Sequence, residues 1–199
     1  DRSSPWFGKP SFVIKYAPDE ARKLMAEAGY GKGKPMKARI SIQAGGTNQT
    51  VNEAIQEMLK EAWIEVDFKP VELEALMTGW RGGAKADMNR DVTATNVTHV
   101  TSDPFYAVNR FFASDQVAPV GVNWSGDKNA DVDKLVDELK NTFDPAKQDE
   151  LAAQIHAKAV DDAAMIWVYH DTSPRALSSK IKTYVQAQSW FQDLALVSI

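Results

Sequence analysis

Three histidines, His99, His156 and His170, stand in a chain of 199 residues that has no cysteine. His99 closes the run "DVTATNVTH" and His170 closes "MIWVYH". A fold that lays the ends of two strands side by side would bring these two imidazoles together, with Asp103 and Asp171 as the carboxylates within reach. Two imidazoles and a carboxylate can bind a divalent metal or share acid–base work. The spacing is that of no recognised metal site, so neither a metal nor a cofactor is expected. His156 lies in a helical pattern beside Ile155 and reads as a solvated or core-edge residue. The missing cysteines exclude disulfides, thiolate nucleophiles and Cys-rich metal sites. Gly45-Gly46 and Gly82-Gly83 fit neither the dinucleotide nor the phosphate-loop spacing, and no G-x-S-x-G is present. The acid pairs Asp161-Asp162 and Asp131/Asp133 fall on helix surfaces, where solvated carboxylates are ordinary.

A second group suits binding rather than catalysis. Asn96, Thr98, His99 and Thr101 form a polar run between a strand and the helix start Asp103-Pro104. Hydroxyls, an amide and one imidazole offer neutral hydrogen bonds. Trp6, Trp124 and Trp190 stand in loop-like contexts, where a tryptophan serves as a stacking surface or an interface anchor. Trp63, Trp80 and Trp167 lie in apolar patterns and are read as core.

The elements that must position these residues alternate. Ala17-Pro18-Asp19-Glu20 opens a helix with the stripe Ala21, Leu24, Met25 and Ala28, and Gly29 ends it. Ala38, Ile40 and Ile42 alternate as a strand closed by Gly45-Gly46. Thr50 and Glu53 have the spacing of a capping box for the next helix, with the stripe Val51, Ile55, Met58, Leu59 and Ala62. Ile64, Val66 and Phe68 alternate again, and Pro70 marks the end of that strand or a sheet edge. A short helix over Leu73, Leu76, Met77 and Trp80 precedes a third strand, "DMNRDVTATNV". Helices follow at about 104–113, 130–142 and 145–164, with Asn129 capping the second and Asp144-Pro145 opening the third. "MIWVYH" is expected as a last strand. This order implies an α/β fold: a mostly parallel or mixed sheet flanked by helices, joined by right-handed crossovers and covered on both faces. Ligands of such sheets sit beyond the carboxyl ends of the strands, which is where 96–101 falls.

Composition agrees with a globular chain: 44% hydrophobic and 25% charged residues. The net charge of −4 carries no block of one sign, so nucleic acid is not expected as a partner. No apolar run approaches the length of a membrane-spanning helix. No signal peptide is visible at Asp1, so it was removed or never present.

Three stretches, in order, resemble a known family. "YAPDEARKLMAEAGY", "TVNEAIQEMLKEAWIEVDFKPVELEALMTGW" and "NWSGDKNADVDKLVDELKNTFDPAKQDELAAQIHAKAVDDAAMIWVYH" are similar to segments of the bacterial extracellular solute-binding proteins of family 5. These are the peptide, nickel and oligopeptide receptors of ABC importers. The resemblance runs from about Tyr16 to Lys182 and implies one lobe of a two-lobed periplasmic binding protein. It corresponds to the C-terminal lobe, and the family's longer N-terminal portion is not represented. Residues 1–15 would then be a flank or inter-lobe connection, 16–182 the ligand-binding lobe, and 183–199 a tail running toward the other lobe.

Some positions depart from the family. Trp63 stands where it usually has Gly, and Ala130 where it has Pro. Ahead of Asp103-Pro104, the family's Trp and its amine-pairing Asp are both absent, with Val100 at the Asp position. The resemblance therefore points away from a free-amino peptide and toward a modified peptide or another small polar solute. The expected function is capture of that solute by lobe closure and delivery to an inner-membrane ABC permease, the protein being periplasmic, or extracellular and membrane-associated. No chemistry is expected. The expected ligand contacts are Asn96, Thr98, His99, Thr101, Trp124 and His170. A small α/β enzyme built on His99, His170 and a carboxylate is the alternative.

Overall fold

The computed structural model describes residues 8–9, 14–82, 92–93, 103–168, 176–185, 195 and 197–198. The chain divides into two compact units, and it passes between them more than once. A sheet unit comprises residues 14–96 and 115–127, and a helical unit comprises 1–13, 97–114 and 128–199.

In the sheet unit, β1 (Met36–Gln43), β2 (Ile64–Val71) and β3 (Val92–Thr93) form a sheet of order β2-β1-β3. All pairings are parallel, with Met36 opposite Ile64, Ile40 opposite Val92 and Ser41 opposite Thr93. The expected mostly parallel sheet is therefore present. Of the third strand, only Val92 and Thr93 fall among the described residues. The alternation read in the sequence is the cause of the packing: Ile40, Ile42 and Val66 share one face and bury against Leu59, Ile64 and Phe68. Each fully buried aliphatic side chain contributes about 2 kcal/mol. α2 (Gly46–Glu61) supplies Leu59 and packs on β1 and β2. The chain steps from β1 to β2 through α2, and then back across β1 to β3, with α3 (Leu73–Gly82) following β2; crossovers of the usual right-handed kind in these two directions would put α2 and α3 on opposite faces. α3 accordingly packs on β1 and buries Leu76.

Two expectations are corrected here. The helix after β1 starts at Gly46, directly after Gly45 at φ +77°, so Thr50 and Glu53 lie inside it and form no cap. Glu53 instead accepts a 3.0 Å bond from Gln49 Nε2. The left-handed glycine turns the strand into the helix at once, which leaves no room for a capping residue. The sheet is also not covered on both faces throughout, since Glu65, Asp67 and Lys69 of β2 are exposed. Pro70 is consistent with this, because β2 is an edge strand among the described residues.

α1 (Pro18–Glu27) ends as expected. Gly29 has φ +85°, its N–H reaches Ala26 O at 3.0 Å, and Tyr30 N reaches Met25 O at 2.9 Å. The expected stripe is not buried, however: no residue of α1 is, and Leu24 is exposed. Polar contacts tie the helix down instead. Arg22 Nη1 donates to Glu61 O at 3.0 Å, and the Tyr16 hydroxyl donates to Glu61 Oε2 at 2.7 Å. The second bond, with the adjacent negative charge, raises the Tyr16 pKa. Trp63 follows α2 at φ +60°, the left-handed conformation that suits glycine, and is half-buried rather than core.

In the helical unit, α4 (Pro104–Phe112), α5 (Ala130–Lys140) and α6 (Pro145–Asp161) pack on one another. Their buried residues recur at helical spacing: Val108, Phe111 and Phe112; Val132, Val136 and Leu139; Leu151, Ile155 and Ala159. All three starts carry the expected caps. Asp103 accepts from Phe105 N at 2.9 Å, Asn129 from Asp131 N at 2.9 Å, and Asp144 from Ala146 N at 3.1 Å. The expected strand over "MIWVYH" is corrected for its described part, Met165–Val168, which joins no sheet. Ile166 and Val168 are exposed, and Trp167, expected as core, is 36% exposed. Its ring lies 6.2 Å from that of Phe112 and 5.2 Å from that of His156, centre to centre. An apolar run becomes a strand only where a neighbouring strand takes up its backbone groups. The tail is pinned by an antiparallel bridge between Thr183 and Ser198, with Lys182 N donating to Ser198 O at 2.9 Å.

Candidate functional site

In a parallel sheet all carboxyl ends share one edge, and here that edge is built from short turns. β1 ends at Gln43, the Ala44 N–H extends the ladder to Val71 O at 3.0 Å, and Gly45 leads into α2. β2 ends at Val71, and only Glu72 separates it from α3. Two helix N-termini therefore meet this edge, each with unsatisfied N–H groups and the positive end of its dipole. β3 runs parallel to β1, so its carboxyl end, at Thr93 among the described residues, points to the same edge.

Of the expected ligand contacts, Asn96, Thr98, His99, Thr101 and His170 lie outside the described residues, as do Asp171, Trp6 and Trp190 and the side chain of Trp80. Asp103, considered above as a metal-binding carboxylate, caps α4. The helix-surface acids are less idle than expected. Asp133 accepts a 2.8 Å bond from Ser114 N, and Asp162 accepts one from Asn129.

Trp124 lies in the loop 115–127 of the sheet unit and is half-buried. Its indole Nε1 has no accessible surface. What Trp124 offers to solvent is therefore not its hydrogen-bond donor, which suits stacking rather than polar recognition.

The neighbouring residue, Asn123, was not singled out in the sequence. It is fully buried at 0% exposure. Its Nδ2 donates to Asp127 O at 2.9 Å, and its Oδ1 accepts from Ser125 Oγ at 2.8 Å. Its backbone N–H donates to Gln116 O at 2.8 Å, and its carbonyl accepts from Ala118 N at 3.3 Å. One residue thus ties both arms of the loop together, its side chain to Ser125 and Asp127 and its backbone to Gln116 and Ala118. Gly121 completes the packing: a Cβ there would lie 2.6 Å from Gln116 O and 2.7 Å from its Cα. The usable signal was Asn with Ser two residues on and Asp-containing turn chemistry after it, a pattern that favours local side-chain-to-backbone bonds.

Residues 2–119 match the family model of the bacterial extracellular solute-binding proteins, family 5 middle. The chain belongs to that family. The oligopeptide-binding protein AppA of Bacillus subtilis is 24% identical over 182 residues, covering 86% of this chain and 32% of AppA. Among solved structures, an oligopeptide ABC transporter periplasmic binding protein of Thermotoga maritima bound to mannohexaose is 27% identical at a TM-score of 0.64, covering 77% of this chain and 30% of its own. NikA of Staphylococcus aureus, in complex with Ni(L-His)2, superposes with a TM-score of 0.63 at 23% identity, covering 78% and 33%. The chain spans about a third of the length of these relatives. The family is one of binding proteins, and among the described residues no helix is long and apolar enough to cross a membrane.

Proposed function

We propose that this chain is a ligand-binding lobe, residues 16–182, of the solute receptor of an ABC importer, with 1–15 as its flank and 183–199 as a tail running toward a second lobe. The lobe captures a small polar or peptide-like solute at the carboxyl edge of its sheet and performs no chemistry on it. Asn96, Thr98, His99 and Thr101 hydrogen-bond the solute, His170 contributes a further polar contact, and Trp124 covers it with carbon surface. The single observation that supports this reading is the parallel pairing of β3 with β1 in a chain of this family, because ligands of such sheets sit beyond the carboxyl ends of the strands. Affinity comes from closure of two lobes, since small-molecule sites bury most of the ligand surface. The closed receptor then hands its solute to a permease, working in the periplasm or at the outer face of the membrane.

Calorimetric titration tests the reading. The probes are a nonapeptide, mannohexaose and Ni(L-His)2, applied to this chain and to the full-length receptor. Binding by the full receptor and feeble or no binding by this chain is the expected result. Equal affinity for both would place the whole site in one lobe and remove closure from the account. Turnover of any probe would overturn the reading.

A further inference from the structure

We propose that Asn123 is the positioning residue for Trp124, holding the loop 115–127 in its binding geometry before any solute arrives. The proposal rests on the reading above in one respect only, that Trp124 faces solute. Three observations carry it. Asn123 is fully buried although it is a polar residue in a loop, where backbone groups ordinarily stay hydrated. Its side chain donates to Asp127 O and accepts from Ser125 Oγ, both within the loop itself. Its backbone bonds tie the residue next to Trp124 to Gln116 and Ala118 on the other arm. A buried amide with these partners admits one loop conformation, because any other leaves polar groups unpaired away from water. Trp124 follows directly in the chain, so its backbone direction is fixed by the same bonds. Its donor is buried as well, so a displaced loop would present a different face of the indole to the solute. Gly121 is a consequence of the same arrangement, since the arms approach too closely there for any side chain.

The test is 19F NMR of the chain grown with 5-fluorotryptophan. The Trp124 resonance is assigned by its loss in Trp124→Phe. In Asn123→Ala this resonance should broaden or split while those of Trp63 and Trp167 hold their positions. Ser125→Ala removes one donor to Asn123 from an exposed position and should shift the same resonance less, with a smaller fall in melting temperature than Asn123→Ala. Ser125→Ala thus remains a test if Asn123→Ala does not fold. An unaltered Trp124 resonance in the folded variants would overturn the proposal without touching the reading of the site. The second arm is titration of the full-length receptor carrying Ser125→Ala with whichever of the three probes it binds. A fall of about threefold to tenfold in affinity, the worth of one neutral hydrogen bond, supports the positioning role. A shifted resonance with unchanged affinity would instead remove Trp124 from the site.

Discussion

Asn129 joins the first turn of α5 to the last turn of α6 by donating from Nδ2 to Asp162 Oδ2 at 2.5 Å, while its Oδ1 accepts from Asp131 N and Val132 N. Replacing it with Ala should remove a helix cap and an inter-helix tie together. The loss should be about 1–2 kcal/mol, read as a lower urea midpoint with unchanged slope. Asp162→Ala should cost less, because the cap survives.

Ala130 occupies the first helical position of α5. Proline is favoured there because the N–H it lacks has no intrahelical partner. Asn129, with φ −124° and ψ 112°, already has the extended backbone that a following proline demands. Ala130→Pro should therefore raise stability by about 0.4–1 kcal/mol, chiefly by restricting the unfolded chain. Differential scanning calorimetry showing a lower melting temperature would count against this account.

Ala163 ends α6 at φ +51°, with its N–H on Val160 O at 3.2 Å and Ala164 N on Ala159 O at 3.0 Å. The arrangement matches the one Gly29 makes after α1, but with a side chain in the left-handed region. Ala163 is exposed, so little packing is lost with its methyl group. Ala163→Gly should gain about 0.5–1 kcal/mol in chemical denaturation.

Lys158 Nζ lies 3.3 Å from Asp131 Oδ2, and Lys134 Nζ lies 3.4 Å from Oδ1. The hydrogen bond from Lys158 first, then its charge, and after these Lys134, hold the Asp131 carboxyl below its usual pKa of 3.8. A depressed carboxylate stabilises the folded state above its unfolded pKa, and that stability is lost as pH falls through the folded value. Wild type and Lys158→Gln should therefore differ slightly at neutral pH and converge below about pH 4. The pair is exposed, so the neutral-pH difference should also shrink in high salt. Urea titrations at neutral pH and in acid, each at two salt concentrations, decide this.

In the full-length receptor, His99→Ala and Thr98→Val should each weaken solute binding several-fold with little change in melting temperature. On the proposed reading each removes one neutral hydrogen bond to solute, of about 0.5–1.5 kcal/mol. Unchanged affinity in both variants would make 96–101 a connecting loop.

Features that depend on neighbours in sequence were legible. The starts at Asp103-Pro104, Asn129 and Asp144-Pro145 were readable because a cap is a contact across two or three residues. Features that depend on neighbours in space were not. Thr50 and Glu53 satisfied a local rule, but the backbone of Gly45 had already begun the helix. Met165–Val168 has strand composition, yet strand formation is decided by a partner strand, and none pairs with it among the described residues. Trp63 looked like core from its apolar neighbours, but its left-handed backbone leaves it half-buried. Of the candidate site, the sequence drew attention to Trp124 and overlooked Asn123, whose amide is set apart by a burial that only the fold reveals.

The path of the chain bears on the order of synthesis. The sheet unit takes residues 14–96, the chain then leaves it for 97–114, and it returns for 115–127. A ribosome that has made β1, β2 and β3 has therefore not yet made the loop that holds Asn123 and Trp124. That loop is added to an existing sheet only after α4, the first helix of the other unit, has been synthesised. A nascent chain or proteolytic fragment stopping before residue 115 therefore has every strand of the described sheet and none of the loop that carries Asn123 and Trp124.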